Sequence, residues 1–523
     1  MLLIRGAVYH TNDCFANPDN GGFGIIQIGF TTIGKTMRND VQKSAASVFK
    51  AIDNKLKLPG GGCSDSIAYM EQSSWLLFLR YLDDREAERK NEAMVLGRPY
   101  TPALPRELAW STWAYPVDKD GNFDRDNALT GDDLIKFVKG TLFPRLKKMR
   151  DEARDVTSIQ YRIGSIFTDL TCRITNGYIM REVIDLIQPL KFETEAARHE
   201  MSVLYEERLR NMGNAGRDGG QYYTPRSLIR VMIRILDPKV GEKFDDGASG
   251  SCGFLCEGYE YMKGNAKDPT HDYEILQRET FSGGEASPIA YVSGQMNCIL
   301  HGLESPNVRF GDTLAQKIAD FTDKDRVDVI GANPPFGAGV DANVKANFVA
   351  QTSETALLFL EYFVAKLKKG GRAAIIVKNT VLSNDDAASR YIRRMLLEKC
   401  ELEWILDLPP KVFAAGVKAV VLFFRKGKPT TKPINYYELA MEGVSLGKTR
   451  PLLEEDLAEF EKLAKGCKVK TDAHWTVDPK SVDTETYDLS VHNPNKKEEV
   501  PPTVEECEAE FGAIYKELGK LLK

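Results

Sequence analysis

Val327-Asp-Val-Ile-Gly-Ala-Asn-Pro-Pro-Phe336 reads as a buried β-strand that stops at two prolines. Proline has no N–H to give a ladder and holds the residue before it extended, so Pro334 and Pro335 end the strand in a stiff turn. That turn aims the side-chain oxygen of Asn333 and the carbonyl of Pro334 into the cleft beyond the sheet. Two acceptors facing one point suit an –NH₂ group, because each can take one hydrogen. Drawing both hydrogens out keeps the nitrogen lone pair out of ring conjugation and available for attack. Phe336 offers a face on which a planar base can stack.

Around this strand, residues 211–440 alternate short β-rich runs with helical stretches, the pattern of a parallel sheet with crossover helices. Glu242-Lys-Phe-Asp-Asp246 is one strand. Arg372-Ala-Ala-Ile-Ile-Val377 is another, preceded by an amphipathic helix over Ser353–Lys369. Leu402–Leu408 and Val417–Phe424 supply two more. The fold class is α/β, a doubly wound Rossmann-like sheet, and ligands in such sheets sit beyond the carboxyl ends of the strands. Asp246-Gly-Ala-Ser-Gly-Ser-Cys-Gly253 falls at one such end, where glycines let the backbone approach a ligand and the next helix point at it. Glu285 follows a second strand, placed to accept hydrogen bonds from ribose hydroxyls. Asp312 follows a third, positioned to meet an adenine ring. Three such sites in order favour an adenosine-type cofactor.

The remaining chain divides by composition. Residues 1–40 are Gly-rich and β-branched, and no role is clear for them. Residues 41–210 form a helical N-terminal domain, with apolar residues at spacings of three and four in Trp75–Leu82 and Leu134–Lys139. Residues 211–445 are the sheet domain, and 446–523 a C-terminal helical tail ending in a helix over Val504–Leu522. Gly29-Phe-Thr-Thr-Ile-Gly-Lys-Thr36 fits a phosphate-loop pattern. Its bulky middle and the helices that follow argue against nucleotide binding, and translation starting at Met37 would make 1–36 an upstream extension.

With 70 Lys and Arg against 75 Asp and Glu, the net charge is −5. A chain that grips nucleic acid unaided is usually basic or carries a dense basic stripe. The basic stretch Lys136–Arg154 reads better as a solvated face. Nine cysteines without C-x-x-C pairs fit buried thiols in a reducing cytosol, and Cys252 with Cys256 does not have zinc spacing. No apolar run approaches the ~20 residues of a membrane helix. A cytoplasmic protein with no membrane partner and no metal is expected.

Taken jointly, these motifs resemble those of an amino-methyltransferase that uses S-adenosylmethionine. More narrowly, the chain resembles the modification subunit of type I restriction-modification systems, an N6-adenine DNA methyltransferase with a class I methyltransferase sheet. That family reads roughly D-P-A-C-G-S-G-G-F-L where this chain has Asp246-Gly-Ala-Ser-Gly-Ser-Cys-Gly-Phe-Leu255. Gly220-Gln-Tyr-Tyr-Thr-Pro-Arg226 matches its G-Q-[FY]-[FY]-T-P-R segment, and Met296-Asn-Cys-Ile-Leu-His-Gly302 its M-N-x-x-L-H-G helix. Leu408–Phe413 with Ala415–Lys418 resembles L-P-x-G-V-F followed by A-G-V-K-T, while Tyr487–Ser490 and Asn493-Pro resemble its tail. The likeness covers about 41–523 and is strongest over 211–430. Gly247 stands for the usual Pro, Cys252 for a common Gly, and Lys411 for Gly in the later loop.

The resemblance implies that S-adenosylmethionine lies over Ala248, Gly250, Ser251, Cys252 and Gly253 after Asp246, with Glu285 on its ribose and Asp312 near its adenine. Gln221, Tyr222, Tyr223, Thr224, Pro225 and Arg226 would close around its methionine end. Asn333, Pro334, Pro335 and Phe336 would act on an adenine flipped from double-stranded DNA. Sequence reading would reside in a specificity subunit bound by two copies of this chain, with restriction subunits joining them. The terminal helix reads as a docking element for the specificity subunit. Three other readings stand beside this one: a protein-glutamine methyltransferase, a self-sufficient DNA methyltransferase and a catalytically inactive scaffold subunit. The first usually has Tyr in place of Phe336, and the second needs a recognition domain that the residues after 445 scarcely allow. Loss of cofactor binding, with Cys252 the first suspect, would mark the third.

Overall fold

The computed structural model describes residues 47–155, 158–192, 194–213, 223–303, 306–337, 339–413, 416–441, 443–447 and 450–496, with Phe511 and Ile514. The 1–40 extension with its Gly29–Thr36 motif, Gln221, Tyr222 and the rest of the expected terminal helix lie outside the described residues.

The N-terminal region folds mainly as helices, the long ones among them opening on side-chain caps. After a helix over 47–56, α1 (Ser66–Val95) opens on Asp65, which accepts the Ala68 N–H at 2.9 Å. In α2 (Gly177–Ile187), Asn176 caps the start, and Ile179, Met180, Val183, Ile184 and Ile187 form one buried stripe. Next comes α3 (Glu195–Gly213), anchored to α1 by a 2.6 Å hydrogen bond between Tyr205 and Ser74. The basic stretch is helical and widens to a π turn at Val138–Leu142, and Arg145, Lys147 and Lys148 on it are exposed. Trp75, Trp110, Leu134 and Leu146 are fully buried here, each contributing on the order of 1.5–3 kcal/mol.

A nine-stranded sheet follows: β1 (Phe244–Asp246), β2 (Phe281–Glu285), β3 (Asn307–Phe310), β4 (Val327–Ala332), β5 (Leu367–Lys378), β6 (Cys400–Asp407), β7 (Ala419–Lys426), β8 (Ile434–Glu438) and β9 (His474–Val477). Their spatial order is β3-β2-β1-β4-β5-β7-β6-β8-β9. The helices that matter to the site are α4 (Arg226–Leu236), α5 (Gly253–Gly264), α6 (Pro288–Leu300) and α7 (Thr355–Lys366). Alternate residues of the strands serve the two faces. Val329, Ala374, Ile376 and Phe423 join a core that runs on into the helical domain, whereas Ile330, Ile375, Val377 and Phe424 join a second core.

Three features depart from the sequence expectation. The sheet is mixed, because β7 runs antiparallel to both β5 and β6. Residues 408–418 are too few for a crossover helix, so the chain returns as a wide hairpin. The helix expected to reach Lys369 ends at Lys366, where β5 takes up the chain. Finally, the sheet does not stop at 445: His474–Val477 pairs antiparallel with β8 and adds the ninth strand. No helix among the described residues is long and apolar enough to cross a membrane.

Candidate active site

β1 lies between β2 and β4 and is parallel to both, so the order of strands reverses around it. A crevice opens at such a point, and the turn after β1 lies in it. Asp246 is buried at 1% exposure, and its Oδ1 accepts the Ala248 N–H at 3.1 Å. Ser249 donates its hydroxyl to the Asp246 carbonyl at 2.6 Å and its N–H to the Gly284 carbonyl at 3.0 Å. Gly250 and Cys252 both adopt left-handed backbone, at φ +51° and +58°. That conformation costs glycine nothing and most other residues about 1–2 kcal/mol, the physical reason a glycine is common at the place of Cys252.

Glu285, at the end of β2, accepts the Gly250 N–H at 2.8 Å through Oε2 and the Ser287 N–H at 2.7 Å through Oε1. Burial pushes the Glu285 carboxyl up, against the pull of those backbone donors. Burial likewise pushes Asp246 well above the usual carboxylate range, and Asp245 and Glu285 add to the push. Asp312 follows β3, is exposed, and spends one oxygen on the Leu314 N–H at 2.9 Å.

Asn333 leaves the end of β4 beside this turn. Its Nδ2 donates to the Thr224 hydroxyl at 3.0 Å, and its Oδ1 is buried with no hydrogen-bond partner. Thr224, Asp246, Ala248, Gly250, Ser251 and Asn333 line one narrow cleft. The loop is held from behind, since Thr355 at the start of α7 donates its hydroxyl to the Pro335 carbonyl at 2.7 Å. Phe336 meets Phe413 edge-on, with ring centroids 6.2 Å apart and planes at 89°. Phe413 was not singled out from the sequence as a site residue, although its loop was. Asp312 does not line this cleft, because β2 stands between β3 and β1.

Arg226 lines the same cleft, but its guanidinium is engaged by protein groups. Its guanidinium forks onto Glu206, Nε to Oε2 at 2.7 Å and Nη2 to Oε1 at 3.0 Å. The remaining bonds go to the Thr224 carbonyl and the Ser251 hydroxyl, both at 3.0 Å, and Tyr223 lies 4.7 Å away under its face. Asn297 of α6 donates Nδ2 to Glu206 at 2.6 Å and to the Ser251 carbonyl at 3.0 Å. Burial works to raise the Glu206 carboxyl, but Arg226, His301 and Asn297 outweigh it and hold the group ionised. Glu206 and Asn297 were not predicted as site residues from the sequence.

A parallel-centred sheet, a glycine turn after its first strand and an Asn-Pro-Pro-Phe turn after its fourth define a methyltransferase acting on an amino group. Residues 196–501 match the N-6 DNA Methylase family model, and residues 45–185 match the HsdM N-terminal domain. The EcoEI methylase subunit of a type I restriction enzyme from Escherichia coli is 31% identical over 91% of this chain and 96% of its own length. The solved modification subunit of a putative type I restriction enzyme from Vibrio vulnificus YJ016 is 31% identical, superposes with a TM-score of 0.75, and is covered over 97%, against 87% of this chain. A solved chain from a type I R-M system reported for its complex assembly gives 32% identity, a TM-score of 0.73, and coverage of 92% and 98%. The chain belongs to the N-6 DNA methylase family. It is a methylase subunit of the type I restriction-modification class, an adenine-specific DNA methyltransferase.

Proposed function

We propose that this chain moves the methyl group of S-adenosylmethionine to the exocyclic N6 amine of an adenine flipped out of duplex DNA. It would do so in the cytoplasm, in a complex of two copies with a specificity subunit and restriction subunits, so that host DNA is protected from restriction. The observation that carries this reading is Asn333: its amide nitrogen is tied to Thr224, and its oxygen is buried and unpaired. An unpaired buried acceptor is costly, so it is kept where a ligand donor completes it.

The residues present suit the cofactor. Gly250 at positive φ and the half-buried Glu285 carboxylate bring a backbone turn and an acceptor together. Asp312 keeps an oxygen free of backbone bonds for an adenine edge. When bound, the cofactor supplies an electrophilic methyl on sulfur that departs with the bonding pair left on a neutral thioether. The rest is positioning. Asn333 Oδ1 and the Pro334 carbonyl draw the amine hydrogens out of the ring plane, which turns the nitrogen lone pair toward the methyl. Phe336 holds the flipped base by stacking, beside Phe413. The amine gains a carbon and loses one hydrogen as a proton to water, so no covalent enzyme intermediate is needed.

The test is base-modification sequencing of DNA from a host that expresses the chain with its specificity subunit, restriction being disabled. An adenine-methylated motif present with the natural chain and absent with Asn333→Ala is the expected result. No new methylated motif from an intact complex would overturn the reading.

A further inference from the structure

One buried cluster joins the helical domain to the turn Ala248–Gly253. Glu206 lies on α3, the last helix before the sheet domain, and both of its oxygens are used. The two groups it holds, the Arg226 guanidinium and the Asn297 amide, both also hold Ser251. Arg226 Nη2 takes the Ser251 hydroxyl and Asn297 Nδ2 takes the Ser251 carbonyl, each at 3.0 Å. Ser251 is thus gripped at side chain and backbone by two groups that share one carboxylate. His301 adds a third member, donating Nδ1–H to the Asn297 carbonyl at 2.9 Å. Gly253 belongs to the same packing, because a Cβ there would stand 2.0 Å from Arg226 Nη1.

We infer that Glu206 is a positioning residue, through which the helical domain sets the shape of the turn Ala248–Gly253 for its cofactor. A buried fork of this kind adds little stability over apolar packing, but it fixes geometry closely. α3 itself is fixed to the helical domain on either side of Glu206, by Tyr205 to Ser74 at 2.6 Å and Arg208 to Asp53 at 2.5 Å. A shift of α3 against the sheet is therefore passed to Ser251, and through it to the cleft that Ser251 lines. Three segments far apart in the sequence, around Thr224–Arg226, Ser251–Gly253 and Asn297–His301, meet at this one carboxylate. The inference rests on the reading of Ala248–Gly253 as the cofactor turn.

The experiment compares Glu206→Gln with Tyr205→Phe in the full chain. The second variant loosens α3 one residue away but leaves Ser251 alone. Two quantities are measured: the Kd for S-adenosylhomocysteine, and hydrogen exchange of the amides of 248–253 without any ligand. Glu206→Gln is expected to raise both Kd and exchange rate about tenfold, the effect of one lost charge-assisted hydrogen bond, with kcat at saturating cofactor within about threefold. Tyr205→Phe is expected to lower the melting temperature while Kd and exchange stay within about twofold. Equal effects of the two variants, or none from Glu206→Gln, would overturn the inference. If Glu206→Gln does not fold, Glu206→Asp, which keeps the charge and shortens the reach, decides by the same readings. If the natural chain binds no S-adenosylhomocysteine, the cofactor reading fails, and the exchange rates alone decide the role of Glu206.

Discussion

The amide nitrogen of Asn333 donates to the hydroxyl of Thr224 at 3.0 Å, across 109 residues of chain. This bond ties down the donor end of the amide and leaves the buried acceptor without a partner, ready for the amine of the proposed substrate. Thr224→Val keeps the shape and removes the partner, so the amide loses its preferred orientation. The expected result is a kcat about tenfold lower with cofactor Kd within about twofold, read from steady-state kinetics and titration. Asn333→Ala removes the acceptor itself and lowers kcat by about 10³-fold, with cofactor binding again nearly unchanged.

Two glycines of β2 let the turn after β1 sit against the strand. A Cβ at Gly283 would lie 2.4 Å from Ser249 Oγ and 2.6 Å from the Asp246 carbonyl, and one at Gly284 would lie 2.1 Å from Thr313 Oγ1. The carbonyl belongs to the strand end and cannot swing aside. Gly283→Ala should therefore cost about 1–3 kcal/mol in denaturant unfolding and weaken cofactor binding at the same time. Gly447→Ala, at an exposed site where a Cβ would meet nothing within 4 Å, should move neither.

Asp246 gives the site a pH signature. Its folded pKa lies well above 3.8, so the native state holds its proton more tightly than the unfolded chain does. Such a group favours folding fully below the unfolded value and loses that contribution as pH rises through the folded value. Asp246→Asn keeps the acceptor for the Ala248 N–H but has no proton to lose. Its melting temperature should exceed that of the natural chain by a few degrees at pH 7, and the gain should vanish as pH approaches 4. Thermal unfolding across that range reads it, and a gain that grows toward acid would contradict the assigned direction. Glu285, also raised by burial, should add to the natural chain's loss of stability over the same rise in pH.

Much of the candidate site is legible because glycines, acids and prolines gather where short strands end. Asp246, Glu285, Asp312 and Asn333 stand at or just past the ends of β1 to β4, marked by the glycines beside the first three and the two prolines after the fourth. Glu206 carries no such mark. It sits beside Glu207 on a helix with charges all round, and its partners lie 20 and 91 residues away, so only the folded chain shows which carboxylate is buried. Strand direction was equally hidden. Ala419–Phe424 is apolar enough to announce burial, but a run buried on both faces reads alike whether parallel or antiparallel. In β9 only Trp475 is buried, so its four residues offer too short an alternation to separate them from the tail that surrounds them.

The loop after β6 opens on the same edge as Asn333, because β6 and β5 are each antiparallel to β7 and β5 is parallel to β4. Lys411 sits on that loop at φ +67°, directly after Pro410, the place a glycine takes in a type II turn. Its side chain is exposed and donates to Ser445 Oγ at 3.1 Å, and no carboxylate among the described residues forms an ion pair with it. By contrast, Lys418 and Lys496, which with Lys411 line a second cleft beyond the end of β6, are paired with Asp407 and Glu438 at 2.9 and 2.8 Å. Lys411→Gly relieves about 1–2 kcal/mol of left-handed strain and gives back about 0.5–1 kcal/mol through the freer unfolded chain. A net stabilisation of about 0.5 kcal/mol is expected from denaturant unfolding. If the strained lysine is kept because it meets a DNA phosphate, the same variant should bind DNA more weakly in the complex with the specificity subunit. The slope of log K against log salt should then fall in magnitude by about 0.9, the share of one phosphate contact. An unchanged slope together with the gain in stability would assign Lys411 to the loop alone.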